Sequence, residues 1–357
     1  MDILRHTDFA VAQGHRCGML APLVETLVTG ATGFAGRALV AALRADGHAV
    51  RAFVRKGARP EAVTALEALG ATIATGDVRD EPSIEAAARG VEVVFHCARL
   101  EDPRAARAEL EATNLVGTEN LLAACRRAKV RRVVHLSTAD VTQGTEHRPY
   151  VDEDLAQPAD FLDARTETRA LAEDLVVAAS DDVLETVTLR PGWIWGVDDT
   201  CLTPRLAHAA KTGSFVWIDG GSALCATTNV ANLVAAMKLA ATVAEAAGRI
   251  YYLTDDERIS AKEVLTRLAS AIGVKLPRVS APFALAYGLA WLGERFSARP
   301  TRLRSEVAAH GRSAHFNVQR ARKELGYAPV VDVSEGLRQV KAWIDRAGPS
   351  ALTLARP

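Results

Sequence analysis

Short apolar runs alternate with amphipathic stretches along the first half of the chain. The runs are rich in β-branched residues and fall at 24–28, 48–54, 71–74, 91–96, 131–136 and 184–189. Strands that are apolar throughout are typical of a sheet buried on both faces. Strands that alternate with helices predict a parallel sheet whose helices cover both faces. The expected fold class is therefore α/β, with a doubly wound parallel sheet.

The pattern changes after Pro191. A loop-rich stretch extends to Gly221, and then come a helix at 229–243, a strand at 249–253, a helix at 261–272 and a C-terminal helix at 334–344. Ser334 is the expected cap of that last helix, with Glu335 in its first turn. This region is expected to form a smaller, mixed substrate-binding lobe.

Three regions are expected along the chain. Residues 24–190 form the sheet domain, and residues 191–345 form mainly the smaller lobe, with some chain returning to the main sheet. Residues 1–23 form an N-terminal extension, within which Met19 is an alternative start to Met1. Because no long linker separates the two lobes, they are expected to enclose a cleft.

Composition excludes several classes of function. Forty-three basic residues balance forty-three acidic ones, which argues against nucleic acid or an anionic membrane as a partner. Five scattered cysteines predict reduced thiols and no metal site, and the charged N-terminus is not typical of a secretory signal. We expect a cytoplasmic protein with a small-molecule substrate. The apolar run at 281–293 is too short to span a membrane and predicts a buried helix or a lid; the oligomeric state stays open.

A glycine motif follows the first strand and opens a helix. Gly30, Gly33 and Gly36 are spaced Gly-x-x-Gly-x-x-Gly. In this context, backbone amides and the positive helix end point to where a pyrophosphate lies. A purely structural turn is the alternative. The motif predicts a Rossmann-type dinucleotide-binding domain.

The end of the second strand bears on the choice of cofactor. NAD-preferring enzymes usually carry a carboxylate there, whereas this chain has Arg55 and Lys56, with Arg51 inside the strand. These cations would attract the 2′-phosphate of NADP. NADP(H) is favoured, NAD(H) is possible, and a solvated strand end is the alternative.

Six motifs occur in the order found in one known family. Together they resemble an extended or atypical short-chain dehydrogenase/reductase, in the branch of 3β-hydroxysteroid dehydrogenases and dihydroflavonol reductases. The resemblance covers about residues 26–344. The motifs are residues 29–36 (TGATGFAG), 76–78 (GDV), 95–98 (FHCA), 114–120 (NLVGTEN), 189–196 (LRPGWIWG) and 320–327 (RARKELGY).

The resemblance implies a set of cofactor-binding residues. Asp77 would lie near the adenine amine and Val78 against the adenine ring. Arg99 departs from the family, which usually has a small residue there; it faces either the cofactor or substrate, or solvent. The implied residues are Gly30, Thr32, Gly33, Phe34, Gly36, Arg55, Lys56, Asp77, Val78, Ala98, Arg99, Arg169, Pro191 and Gly192.

The resemblance also implies a catalytic Ser or Thr and a Tyr-x-x-x-Lys helix. Thr138, rather than Ser137, takes the hydroxyl position. Arg165 and Arg169 take the tyrosine and lysine positions, and a shifted register with Phe161 and Arg165 also lacks a tyrosine. Arg169 can keep the ribose contact. Arg165 does not release a proton near neutral pH, but it can stabilise an oxyanion.

The proton must then come from water, from another residue or from the substrate. A phenol beside the ketone would be an intramolecular donor, whereas Tyr150 and His147 lie in a loop that is not expected to reach the site. Trp193, Trp195 and Trp217 line a flat pocket or pack in the core. We expect an NAD(P)H-dependent ketoreductase of a polycyclic aromatic polyketide, angucyclinone-like. A non-catalytic NADP(H)-binding regulator is the alternative, followed by a nucleotide-sugar epimerase or dehydratase.

Overall fold

The secondary structure of this computed structural model alternates as the apolar pattern predicts. The structure describes residues 24–102, 104–297 and 303–353, so the expected extension at 1–23 lies outside the described residues. The strands are β1 (Glu25–Thr29), β2 (Ala49–Val54), β3 (Thr72–Thr75), β4 (Val93–His96), β5 (Arg132–Leu136), β6 (Arg148–Val151), β7 (Glu185–Pro191), β8 (Trp193–Trp195), β9 (Trp217–Ile218), β10 (Leu224–Cys225), β11 (Thr227–Asn229), β12 (Arg249–Leu253), β13 (Ile259–Ser260), β14 (Ser280–Ala281) and β15 (Ala314–Phe316).

Helices connect most of these strands. They are α1 (Phe34–Ala45), α2 (Pro60–Ala68), α3 (Glu81–Ala88), α4 (Arg107–Leu110), α5 (Gly117–Arg127), α6 (Ala164–Ala178), α7 (Leu202–Thr212), α8 (Val230–Thr242), α9 (Ala261–Ala271), α10 (Phe283–Phe296), α11 (Leu303–Gly311) and α12 (Val333–Ala347). A π-helical segment, Glu111–Val116, joins α4 to α5, and a 3-10 turn, Ala139–Thr142, follows β5.

The described strands build a seven-stranded parallel sheet of the Rossmann type. Its order is β12-β7-β5-β4-β1-β2-β3, and every neighbouring pair is parallel. The chain crosses from the β3 edge back to β4, which pairs with β1. In open α/β sheets, ligands bind at the carboxyl ends of the strands beside such a switch point. The predicted α/β fold class is confirmed.

The sheet is buried on both faces. In β1, Leu27 and Val28 point to opposite faces and are both fully buried. Val28 belongs to the core formed with α1 and α8, whereas Leu27 belongs to the core formed with α3 and α5. This two-sided burial explains why the strands are continuous apolar runs.

The C-terminal half of the chain adds small two-stranded sheets and more helices. The strand pairs are β8 with β11, β9 with β14, and β10 with β13, and β12 returns to the main sheet beside β7. Helices α7, α9 and α12 share an apolar core. The stretch expected to be loop-rich contains α7. That helix starts where it does because the Asp199 carboxylate accepts hydrogen bonds from the amides of Cys201, Leu202 and Thr203.

Two local expectations in this half differ from the structure. Ser334 is not the cap of α12: the Asp332 carboxylate accepts the Glu335 amide at 2.8 Å, and the helix begins one residue before Ser334. Asp332 caps because its backbone is extended, as a cap requires. The apolar run at 281–293 forms α10, which buries few side chains: Leu289 is 60% and Phe296 79% exposed. Within the ranges described, no helix is both long and apolar enough to cross a bilayer.

Candidate active site

The glycine turn packs its backbone closely against the segment after β4 and against the start of α1. Gly30 has φ +65°, and a side chain there would meet the Ala98 amide at 2.7 Å. A Cβ on Gly36 would collide with the Gly30 carbonyl group. Helix α1 has Gly33 at its N-cap, no side-chain cap and no acid in its first turn. Its first amides and positive end can therefore receive a diphosphate, the group that the motif predicts.

Residues of the same motif differ in their exposure. Thr32 and Gly33 are exposed at the turn, whereas Phe34 is buried and anchors the start of α1 in the core. Arg55 and Lys56 are exposed beyond the end of β2, where they can reach a ligand. Arg51 cannot do so, because its guanidinium binds Glu25 and the Ala87 carbonyl.

The expected adenine-side residues are held by the Asn-x-x-Gly-Thr-x-Asn helix. Val78 is buried, and Asn120 donates from Nδ2 to its carbonyl at 3.1 Å. A Cβ on Gly117 would lie 2.8 Å from Val78 Cγ2, so the glycine permits this close packing. The Asp77 carboxylate binds Arg79 through two bonds of 2.9 and 2.6 Å. The hydrogen bonds from Arg79 lower the pKa of Asp77.

The loop after β4 is tied to the sheet and to α6. Thr29 Oγ1 accepts the Ala98 amide at 3.2 Å, which fixes Ala98 beside the glycine turn. Asn114 accepts the Leu100 amide at 2.7 Å and donates to Thr168 Oγ1 at 3.1 Å. These bonds hold the segment that follows Ala98 against the helix that carries Arg165 and Arg169.

Three arginines converge on one carboxylate at this place. Asp163 caps α6 by accepting the Thr166 amide, so Arg165 and Arg169 lie in the first two turns of that helix. Arg165 Nη1 donates to Glu101 Oε2 at 2.9 Å, and Arg169 Nη1 donates to Glu101 Oε1 at 3.0 Å. Arg99 Nε lies 2.7 Å from Glu101 Oε1. We call Arg99, Arg165 and Arg169 the arginine cluster.

Thr138 lies next to the arginine cluster. It caps the 3-10 turn after β5, where its Oγ1 accepts the Asp140 amide at 3.3 Å. Asp140 Oδ2 is 3.7 Å from Arg169 Nη2, and Arg99 Nη1 donates to the Leu136 carbonyl at 3.4 Å. The structure thus brings together the predicted residues Thr138, Arg99, Arg165 and Arg169.

Ser137, the residue before Thr138, is also buried there. Its amide donates to the Leu189 carbonyl at 2.9 Å, in keeping with a position at the strand end. Its Oγ has no hydrogen-bond partner within the described part of the chain. Ser137 is therefore a second hydroxyl beside the site, next to Thr138, to which the sequence assigned the catalytic position.

Glu101, Asp140 and Asp163 were not recognised from the sequence. Burial of the Glu101 carboxylate acts to raise its pKa, but Arg169, Arg99 and Arg165 outweigh this effect and hold it well below the usual range. Burial lowers the pKa of Arg169 to about 10, although Glu101 opposes the shift. Burial also acts to lower the pKa of Arg165, but Glu101 and Asp163 raise it above its ordinary value. At neutral pH Arg165 and Arg169 are therefore charged, and Glu101 has no proton to give.

A cavity opens beside these residues. It is a small cleft, with a cavity volume of about 10 Å³, and is lined in part by Asp140, Gly192, Trp193 and Phe316. Gly192 follows Pro191 at the end of β7, and a Cβ on it would lie 2.6 Å from the Ala226 carbonyl carbon. The cavity is thus formed where the end of β7 meets the smaller sheets.

The other aromatic and titratable candidates have separate places. Trp193 lines the cavity and contacts His310, whereas Trp195 and Trp217 are buried in the core of the second half. Tyr150 is 66% exposed and its hydroxyl accepts from Asn317. His147 contacts Arg312 and the Ser313 amide. These contacts do not place Tyr150 or His147 at the position of the missing catalytic tyrosine.

Comparison with known proteins identifies the family. The sequence model of the 3-beta hydroxysteroid dehydrogenase/isomerase family matches residues 27–284. The chain belongs to this family. Its 3β-hydroxysteroid dehydrogenase-like character, expected from six short motifs, is thereby confirmed.

Curated relatives match nearly the whole chain. A 4-hydroxy-2-methyl-3-oxo-4-farnesyl-3,4-dihydroquinoline-1-oxide ketoreductase of Stigmatella aurantiaca is 38% identical over 333 residues, covering 92% of this chain and 97% of the relative. A 2-alkyl-3-oxoalkanoate reductase of Stenotrophomonas maltophilia (strain K279a) is 34% identical, covering 89% and 99%. Both relatives therefore align with this chain along nearly their whole length.

Solved structures share the architecture. The crystal structure of gox2253 has a TM-score of 0.72 at 26% identity, covering 90% of this chain and 98% of that one. MoeE5, solved in complex with UDP-glucuronic acid and NAD, has a TM-score of 0.70 at 26% identity, covering 91% and 100%. Both structures thus share the overall fold of this chain over about nine-tenths of its length.

Proposed function

We propose that this protein is an NAD(P)H-dependent reductase of a ketone. The observation that carries the proposal is the juxtaposition of three parts at the carboxyl ends of β1, β4 and β5: the glycine turn, Thr138 and the arginine cluster. The names of the two relatives, a ketoreductase and an oxoalkanoate reductase, support a carbonyl substrate.

The glycine turn is the proposed diphosphate site, because its uncapped helix end and close backbone packing fit that group. Asp77, Val78, Ala98, Arg169, Pro191 and Gly192 complete the proposed cofactor site. When bound, the nicotinamide supplies the hydride for the carbonyl carbon. Arg55 and Lys56 favour NADP(H) through the 2′-phosphate, and NAD(H), which MoeE5 binds, is the alternative.

In this proposal Thr138 and Arg165 polarise the substrate carbonyl, but neither donates a proton to the alkoxide. Thr138 can donate a hydrogen bond to the substrate oxygen, and Arg165 can stabilise developing negative charge. Both arginines of α6 stay protonated at neutral pH, so they are poor general acids. Loss of acid catalysis costs about 10²- to 10⁴-fold, which good positioning can offset.

A substrate with an acidic proton next to the ketone would compensate for the missing general acid. In a hydroxylated polycyclic aromatic ketone, the phenol beside the carbonyl passes its proton to the alkoxide, and water restores the proton to the phenolate. We therefore propose an angucyclinone-like aromatic polyketide as the substrate. In this respect the chain resembles the tyrosine-lacking ketoreductase of simocyclinone biosynthesis.

The proposal is tested by mixing purified protein and NADPH with hydroxylated polycyclic ketones and following the nicotinamide absorbance band. The matched control is the same ketones with the adjacent phenol methylated. We expect cofactor oxidation with the free phenols and at least about tenfold slower oxidation with the ethers, since the ethers lack the intramolecular proton. Equal rates with both sets would remove the phenol from the mechanism.

A non-catalytic NADP(H)-binding regulator is the second candidate. It is favoured by one observation, that Glu101 already satisfies donors of all three arginines in the cluster. Measurable NADPH binding without turnover on any ketone of the panel would support this candidate over the reductase.

A further inference from the structure

We propose that the arginine cluster is a subsite for an acidic oxygen of the substrate, placed one carbon away from the ketone, and that the Glu101 side chain occupies this subsite until the substrate displaces it. A β-carboxylate and a phenol or enol beside the ketone share this arrangement. The inference rests on the proposed function, whose site it completes.

The cluster has more donors than its carboxylates use. Within the described residues, Arg169 Nε, Arg169 Nη2 and Arg165 Nε are buried and have no hydrogen-bond partner. Asp140 Oδ2, at 3.7 Å from Arg169 Nη2, is too distant for a hydrogen bond. A buried donor left unpaired carries a desolvation cost that a bound acceptor would remove. Arg169 has two such donors, so one can serve the nicotinamide ribose, as proposed above, while the other and Arg165 Nε remain for a further oxygen acceptor.

Of the charged side chains in this site, that of Glu101 is the one that can rotate away from the arginines. The side chains of Arg165 and Arg169 are 12% and 6% exposed, whereas that of Glu101 is 39% exposed. The arginines lie on the rigid turns of α6, but Glu101 lies in the irregular loop between β4 and α4. Rotation of one side chain on the solvent side would open the arginines to a ligand.

The position of the cluster decides which part of a substrate reaches it. Asp140, which faces Arg169, also lines the cavity beside Gly192. Thr138, the proposed carbonyl donor, binds the Asp140 amide. Asp140 thus links Thr138 to Arg169, so an oxygen that contacts the cluster would lie on the same side of the site as the ketone held by Thr138, as a β relation between the two groups requires.

The charge of the cluster suits an anion. Arg169, Arg99 and Arg165 hold the pKa of the partly exposed Glu101 carboxylate well below its usual range, so the carboxylate stays ionised. The same charges would favour ionisation of a bound phenol and so its transfer of a proton to the alkoxide. The name of one relative, 2-alkyl-3-oxoalkanoate reductase, describes a carboxylate in the β position, in agreement with this geometry.

The experiment measures binding apart from turnover. Protein saturated with NADP⁺ is titrated calorimetrically with four probes: acetoacetate, methyl acetoacetate, 2′-hydroxyacetophenone and 2′-methoxyacetophenone. We expect at least one acidic probe to bind about tenfold or more tightly than its methylated partner, and the pair that shows this identifies the source of the oxygen. Equal affinities within both pairs would overturn the proposal.

Two variants test the role of Glu101. Glu101→Gln removes the competing charge, so acid binding should tighten by roughly 10-fold, as expected for one charge-assisted hydrogen bond, while ester binding stays unchanged. Arg165→Gln should abolish the preference for the acid. The matched control is Glu111→Gln, which removes a nearby exposed carboxylate that pairs with Arg107 and leaves the cluster intact.

The outcomes separate this proposal from the reductase. Weaker acid binding in a folded Glu101→Gln protein, or an unchanged preference in Arg165→Gln, would overturn the subsite. Should Glu101→Gln not fold, the Arg165→Gln titration decides alone. If the protein prefers the acidic probe but oxidises NADPH with no ketone, the subsite proposal stands and the reductase proposal fails. If it reduces a ketone but shows no preference for the acidic probe, the reductase proposal stands and the subsite proposal fails.

Discussion

Replacing Gly36 with alanine is expected to weaken NADPH binding by displacing the glycine turn. Gly36 lies in the first turn of α1, directly over the Gly30 carbonyl group. A Cβ at this position would collide with the Gly30 oxygen, and it would lie 2.9 Å from the Gly30 carbonyl carbon and 3.0 Å from Ala31 Cα. All three atoms belong to the backbone, so no side-chain rotation relieves the contact.

The size of the effect follows from these distances. Carbon atoms pack at about 3.5–4.0 Å, so the turn must move by roughly 0.5–1 Å. Overpacking of this kind costs about 1–3 kcal/mol, which exceeds or cancels the gain of about 1 kcal/mol that alanine brings to a helix. The same movement shifts the amides proposed to bind the diphosphate. We expect the Kd for NADPH to rise about tenfold, equivalent to about 1.4 kcal/mol.

Fluorescence titration with NADPH and thermal unfolding measure both effects. Gly288→Ala is the matched control, because Gly288 also lies in a helix, α10, but a Cβ there meets no atom within 4 Å. This control should keep the wild-type Kd and gain about 1 kcal/mol in stability. A Gly36→Ala protein with unchanged NADPH affinity would refute the assigned role of the turn.

Four further changes test other parts of the structure. Thr138→Ala should lower kcat about 100-fold or more, as loss of an oxyanion donor does, and Thr138→Ser should restore most of it. Combined Arg55→Ala and Lys56→Ala should raise the Kd for NADPH about tenfold or more without changing that for NADH, because charge-assisted hydrogen bonds to the phosphate are lost. Glu173→Ala leaves a buried arginine partner unpaired and should reduce the free energy of unfolding by about 3–5 kcal/mol in denaturant titrations. Burial, aided by Arg99, lowers the pKa of His135 to about 3. The unfolded chain therefore takes up this proton first, and stability should fall by up to about 1.4 kcal/mol per pH unit from about pH 6.5 to about pH 3, a slope that His135→Gln should flatten.

Each of these expectations has a contradicting result. Unchanged turnover in Thr138→Ala would exclude that hydroxyl from the mechanism, and equal losses for NADPH and NADH would exclude a 2′-phosphate contact. A loss below about 1 kcal/mol in Glu173→Ala would mean that solvent reaches the pair, as at surface ion pairs. The same acid slope in His135→Gln and wild type would assign the titration to other groups.

The strands of the sheet could be predicted from the sequence because their burial is two-sided. A residue such as Val28 or Leu27 must be apolar whichever face it points to, so the middle of a central strand such as β1 is apolar at consecutive positions. Helix starts were harder to place. Asp332 is the N-cap of α12, whereas Asp199 lies two residues before the N-cap of α7 and accepts hydrogen bonds from the first amides of that helix. Next to Asp332, Ser334 offered a competing signal of similar strength.

The glycine turn could also be predicted from the sequence, because its three glycines and the helix that follows them are close together along the chain. The contact of Glu101 with the arginines could not be predicted, because Glu101 lies 64 residues from Arg165 and 68 from Arg169 in the sequence. Only the parallel order of the strands brings the end of β4 next to α6. The available signal was an acid two residues after Arg99, at a strand end predicted to line the cofactor.

The π-helical segment Glu111–Val116 has a consequence for comparing sequences in this family. Asn114 lies in this segment and holds both Leu100 and Thr168. Deleting one residue there would let an ordinary α-helix run through, turning α4 by about 100° relative to α5. If the deleted residue lay between Asn114 and α5, Asn114 would then point away from the loop of Glu101. An alignment that opens or closes a one-residue gap at this point therefore compares two differently anchored loops, even where the flanking helices match residue for residue.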